Sequence, residues 1–112
     1  MKFVLMFKNT GDTEGEVPAC KELPEMQALM RELTEAGVLL ASEGLKPSAA
    51  GARVRVTGGE ASVTDGPFAE TKELIAGFAV VNVRSKAEAV ALSERMLKLA
   101  GRGACEVREV YA

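Results

Sequence analysis

The side-chain types best suited to chemistry gather in one nine-residue stretch, DGPFAETKE, Asp65 to Glu73, which holds a turn tripeptide, an aromatic ring and four charged groups. Proton transfer near neutral pH usually falls to histidine, whose free pKa is about 6.5, and this chain contains none. A proton carrier must therefore be a carboxylate raised by burial or a lysine lowered by it. Asp65 is the best-placed carboxylate, with Glu70 as a second carrier, while Lys72, Arg55 or Arg108 would supply positive charge to a small anionic molecule. Arginine suits that task because its planar donors meet two oxygens of a carboxylate or phosphate at once. Phe68 would anchor the stretch or offer a stacking surface, and Glu43, set in an otherwise apolar run, is a further candidate. A purely structural account fits the same residues. Asp followed by Gly-Pro favours an Asx turn, in which the aspartate accepts backbone N–H bonds, and a solvated charge cluster contributes little energy. On that account Gly66 occupies a backbone conformation open mainly to glycine.

Other chemistries find no residues to carry them. The chain lacks the phosphate-cradling G-x-x-x-x-G-K-[ST], the dinucleotide G-x-G-x-x-G, the nucleophile elbow G-x-S-x-G, and any cysteine–histidine or serine–histidine pair. Cys20 and Cys105 form no C-x-x-C pair and have no histidine beside them, which leaves no zinc ligand set and fits small buried apolar residues in a reducing compartment. No calcium-loop spacing occurs either, so neither a metal nor a cofactor is expected. The net charge of -2, with acids and bases interspersed, provides none of the positive field that nucleic acid or anionic lipid requires. The opening MKFVLMFKNTGD is too short an apolar run for a signal peptide or membrane span. A cytoplasmic protein with no direct nucleic-acid or membrane partner is expected.

Six strands and two helices would position these residues. FVLMF, Phe3 to Phe7, is a continuous apolar run that suits a central strand covered on both faces. Met26, Leu29, Met30 and Leu33 recur at helical spacing before Gly37, with Pro24 or Pro18 opening the helix. Val38 to Leu45 reads as a second strand. ARVRV and EASVTD flank Gly58-Gly59, a pair that accepts a two-residue hairpin turn and sets Thr57 against Glu60, Val54 against Val63 and Ala52 against Asp65. Val54, Val56, Ala61, Val63 and Asp65 then share a face. Pro67 would open a short helical segment. Gly77 to Val83 reads as a second central strand, Ser85 and Glu88 as a capping box, Ala89, Leu92, Met96 and Leu99 as a helical stripe, and Cys105 to Tyr111 as the last strand.

This order, β-α-β, an inserted hairpin, then β-α-β within one domain spanning residues 1–112, predicts an α+β protein of the ferredoxin-like split β-α-β type, with both helices on one face of an antiparallel sheet. Both central strands carry apolar side chains toward the other face as well, and an apolar surface of that size marks an interaction site. Either a second copy of the chain stacks against it, giving a two-fold homodimer, or the hairpin folds over it.

The segments MKFVLMF, AGVLLASEGLKP, RVRVTGG, VTDGPFAETKELIAGF and EVREV together resemble the DGPF-domain family of the YCII-related superfamily over nearly the whole chain. That resemblance implies a dimeric α+β barrel and, because some relatives occur fused to or beside sigma factors, a role connected with transcription. Related YCII-like proteins are thought to use a histidine–aspartate pair; here Asp65 matches the motif's aspartate and the histidine is missing. Two functions follow. One is a pocket near the motif that binds a small polar or anionic ligand; the other is a metal-independent isomerase- or lyase-like enzyme with Asp65 as base and Lys72 or Arg55 holding developing negative charge.

Overall fold

A computed structural model of the chain describes residues 1–9, 22–68 and 74–111. The apolar opening run forms β1 (Lys2–Asn9). Its side chains alternate, so Phe3, Leu5 and Phe7 point toward the helices while Val4, Met6 and Lys8 point away. The first helix among the described residues, α1 (Pro24–Glu35), carries Pro near its start, where the missing N–H is not needed, and ends before Gly37 at φ +74. Its alternative opening at Pro18 lies outside the described residues. Strand β2 (Leu39–Gly44) follows at once, then a 3-10 turn at Ser48–Ala50 and the hairpin β3 (Ala52–Thr57) and β4 (Glu60–Asp65). Gly58 and Gly59 both have positive φ, and the pairing is Thr57 with Glu60, Val54 with Val63 and Ala52 with Asp65, as the turn chemistry predicted.

Strand β5 (Leu74–Asn82) begins three residues before the predicted Gly77. The reason is a bulge: Phe7 faces Gly77 but Lys8 faces Ile75, so the alternation changes phase and both Leu74 and Ala76 are buried. Helix α2 (Lys86–Ala100) starts at the Ser85 cap, whose hydroxyl accepts from the Glu88 N–H at 3.2 Å, while the Glu88 carboxylate reaches back to the Arg84 N–H at 2.7 Å. It stops at Gly101, φ +87, and β6 (Ala104–Glu109) is the last element among the described residues, two residues short of the predicted Tyr111.

The four-stranded sheet runs β2-β5-β1-β6 with every neighbouring pair antiparallel, which is the ferredoxin-like order, and β3-β4 forms a separate two-stranded ribbon. The core lies between sheet and helices. Phe3, Leu5, Leu39, Ala79 and Val81 meet Leu29 and Leu33 of α1 and Ala89 and Met96 of α2, each larger side chain contributing about 1.5–3 kcal/mol by leaving water. Cys105 is half-buried at this core's margin, and burial pushes its thiol pKa up against the opposing hydrogen bond from Ser93. None of the helices among the described residues is long and apolar enough to cross a membrane.

The far side of the sheet carries Val4, Met6, Phe78 and Val80, half-buried, with Ile75 more exposed and Ala41 on the outer strand. Charged groups edge it: Lys8 near the end of β1, Glu106 and Arg108 on β6, and Glu43 opposite Phe78 on β2. The hairpin does not lie over this surface with its valines. Val54, Val56 and Val63 are each 66% exposed.

Candidate functional site

Asp65 ends β4, exposed, on the ribbon face that carries the valines. The chain then turns back toward the 3-10 segment. Gly66 donates its N–H to the Gly51 carbonyl at 3.0 Å, and the Phe68 N–H donates to the Ser48 hydroxyl at 3.3 Å. The Gly66–Pro67 peptide is cis. These bonds correct the expected Asx turn: the corner is closed by backbone and by Ser48, and among the described residues the Asp65 carboxylate accepts no hydrogen bond. They also correct the expected role of Gly66, whose φ is not positive. It is glycine because a Cβ there would collide with the Ser48 backbone, its carbonyl carbon standing 2.5 Å away.

Phe68 is half-buried, and the Arg53 guanidinium lies over its ring at 4.2 Å from the centroid. A cation in that position is attracted by the ring's negative face, by about 0.5–1 kcal/mol at an accessible site. Strand alternation puts Arg53 and Arg55 together with Ser62 and Thr64 on the ribbon face opposite Asp65. The Ser62 hydroxyl bonds the Arg55 carbonyl at 3.4 Å. The corner thus presents one arginine held over an aromatic ring, a second arginine two residues along the same face, and hydroxyls between the strands. That arrangement suits a small anion with planar oxygens.

The predicted site residues are only partly gathered. Phe68 and Arg55 belong to the corner; Asp65 adjoins it from the other face; Glu70 and Lys72, with most of the short segment predicted from Pro67, lie outside the described residues. Arg108 sits on β6, across the full width of the sheet from β2, and donates to Glu106 at 3.1 Å. Glu106 also receives the Lys8 ammonium at 3.0 Å, and these hydrogen bonds, from Lys8 first and Arg108 second, hold its carboxyl below the usual glutamate range. Glu43 is exposed on β2. Arg53 was not singled out in the sequence, although its two-residue spacing from Arg55 on one hairpin face was there to be read.

A shallow hollow lies at the other end of β5, lined by Met1, Val38, Asn82, Val83, Arg84 and Glu88. None of the predicted site residues lines it. The Met1 ammonium at its edge is already engaged, donating to the Asn82 Oδ1 at 3.2 Å and the Val83 carbonyl at 2.8 Å.

A four-stranded antiparallel sheet backed by two helices, with an inserted hairpin whose root makes a corner, defines an α+β protein of the ferredoxin-like kind. The YCII-related domain model matches residues 1–112, and the chain belongs to that family. Over 66 residues, 59% of its length, it is 42% identical to an uncharacterized protein of Rhizobium meliloti (strain 1021), of which the matched stretch spans about half, 53%.

Proposed function

We propose that this protein is a cytoplasmic homodimeric binding module of the DGPF type, which holds a small polar or anionic molecule at the hairpin corner and serves a regulatory role, as the resemblance to sigma-factor-associated relatives implies. The observation that carries the binding reading is the Arg53 guanidinium stacked on Phe68, on the same ribbon face as Arg55. Stacking holds the planar donors in place before a ligand arrives, so less freedom is lost on binding. The dimer reading rests on the helix-free sheet face, where Val4, Met6, Phe78 and Val80 form a continuous apolar surface.

The experiment is a thermal-shift series with small carboxylates and phosphates on the parent chain and on Arg53→Gln and Arg55→Gln. A ligand at a hundred times its Kd stabilises a fold by about 2.7 kcal/mol, a rise of about 10 °C for a chain of this size. That rise should vanish in both variants. A ligand that stabilises all three proteins equally would remove the corner as the site. Asp65→Asn distinguishes binding from catalysis: the exposed carboxylate points from the opposite ribbon face to the arginines, so binding should persist, and loss of a measured turnover in this variant alone would favour the isomerase- or lyase-like reading instead. For the dimer, Val80→Asp should convert a sedimenting dimer to a monomer at micromolar concentration.

A further inference from the structure

We infer that the ligand of the hairpin corner is a small dicarboxylate, with one carboxylate on Arg53 and the other on Arg55. The inference rests on the anion-binding reading above and narrows it to a substrate class. From root to tip, β3 places Arg53, Arg55 and Thr57 on the polar face of the ribbon, opposite Thr64, Ser62 and Glu60 of β4. Two cations and one acid are therefore the charged side chains of this strip. The strip is bounded at both ends. At the root, the Phe68 ring holds the half-buried Arg53 guanidinium at 4.2 Å from its centroid. Phe68 follows Asp65, which pairs with Ala52, and its N–H donates to Ser48, so the ring stands on the side of Arg53 away from Arg55. At the tip, Glu60 is the diagonal neighbour of Arg55, about 7–8 Å away by strand geometry, and repels a third acidic group.

Spacing decides between one acidic group and two. Arg55 is exposed, and among the described residues its side chain makes no hydrogen bond or ion pair. Residues two apart on one face of a strand stand about 6.7 Å from each other, and the ring keeps the Arg53 head at the root. The two guanidinium forks are thus set for separate partners, and each fork suits the two oxygens of one carboxylate. A saturated carbon chain advances about 1.3 Å per bond, so about four methylenes, as in adipate, bridge that spacing. A single acidic group leaves Arg55 unused. A third meets Glu60.

Isothermal titration calorimetry at low ionic strength tests this on the full chain, with the straight-chain dicarboxylates from malonate to suberate, with hexanoate, with propane-1,2,3-tricarboxylate and with inorganic phosphate. The proteins are the parent, Arg53→Gln, Arg55→Gln and Glu60→Gln. In the parent, affinity should peak near adipate and exceed that for hexanoate by about tenfold, the gain from one further charge-assisted pair. Arg55→Gln changes an exposed side chain outside the core, so it should melt with the parent and bind adipate no better than the parent binds hexanoate. Glu60→Gln should bind the tricarboxylate severalfold more tightly than the parent does and adipate about equally. Hexanoate or phosphate bound as tightly as adipate, or a dicarboxylate series without an optimum, overturns the dicarboxylate and leaves the anion-binding corner standing, provided that both arginine variants still lose affinity. A tricarboxylate whose affinity is the same in Glu60→Gln as in the parent overturns it in the same way. No binding of any of these anions, or binding unchanged in both arginine variants, overturns the corner as well.

Discussion

Adding one methyl group at Gly66 tests the account of the corner most directly. The Cβ of Gly66→Ala would overlap the Ser48 carbonyl oxygen, stand 2.5 Å from the carbonyl carbon and 3.1 Å from the Ala49 nitrogen. All three are backbone atoms, so no side-chain rotation relieves the clash and the 3-10 turn must part from the strand end. Parting breaks the Gly66–Gly51 backbone bond and the Phe68–Ser48 bond, about 1 kcal/mol each, and separates Arg53 from Phe68, about another 0.5–1 kcal/mol. The sum, about 3 kcal/mol, corresponds to a melting temperature about 12 °C lower at roughly 4 °C per kcal/mol for a chain of this size. If the corner opens on its own before the core melts, the same loss appears as amide exchange at Gly66 and Phe68 faster by about a hundredfold. Differential scanning calorimetry and hydrogen exchange read the two. Gly58→Ala is the control, since nothing lies within 4 Å of its Cβ and only the φ of +61 opposes it, a cost of about 1 kcal/mol. A Gly66→Ala protein that melts with the parent and protects the Gly66 amide equally would refute the close-approach account.

Two further outcomes follow from the titrating groups. Glu106, its carboxyl held low by Lys8 and Arg108, should titrate by carbon-13 NMR below the usual glutamate range and return toward it in Lys8→Met; because the folded pKa is the depressed one, its stabilising contribution is present above the unfolded value and is lost as pH falls through the folded one, so a midpoint at or above the unfolded value would contradict the pairing. Cys105, raised by burial, should react with iodoacetamide at pH 7 more slowly in the folded Cys20→Ser protein than after denaturation, since the thiolate is the nucleophile; equal rates would mean the thiol is not held as described.

The hairpin was fully legible because two local signals agreed: Gly58-Gly59 fixed the turn, and alternation of valine with arginine fixed the faces. The two helices and both central strands were also readable, from the spacing of Leu29 with Leu33 and from runs too apolar for one wet face. The start of β5 was not. A period of two read backward from Phe78 assigns Leu74 and Ala76 to the helix-free side, and only the phase change opposite Phe7 and Lys8 sends them inward. The corner was located but misexplained, because the partner that excludes a side chain at Gly66 is a carbonyl eighteen positions earlier, and nothing local in DGPF announces it. Arg53 escaped notice for a related reason: its meaning depends on Phe68, which reaches it only after the chain has turned.

The outer strands decide how far such a sheet can grow. On β2, Leu39 faces Val81 and Ala41 faces Val80, so Leu40 is an extra residue that breaks the evenness of the free edge. An interrupted ladder is a poor template for another strand, and on the opposite margin β6 alternates Glu106, Arg108 and Glu109 about Val107, charges that a neighbouring chain would have to meet. Edge-to-edge addition is the head-to-tail contact that builds open filaments. With both margins spoiled, this protein is protected against polymerisation.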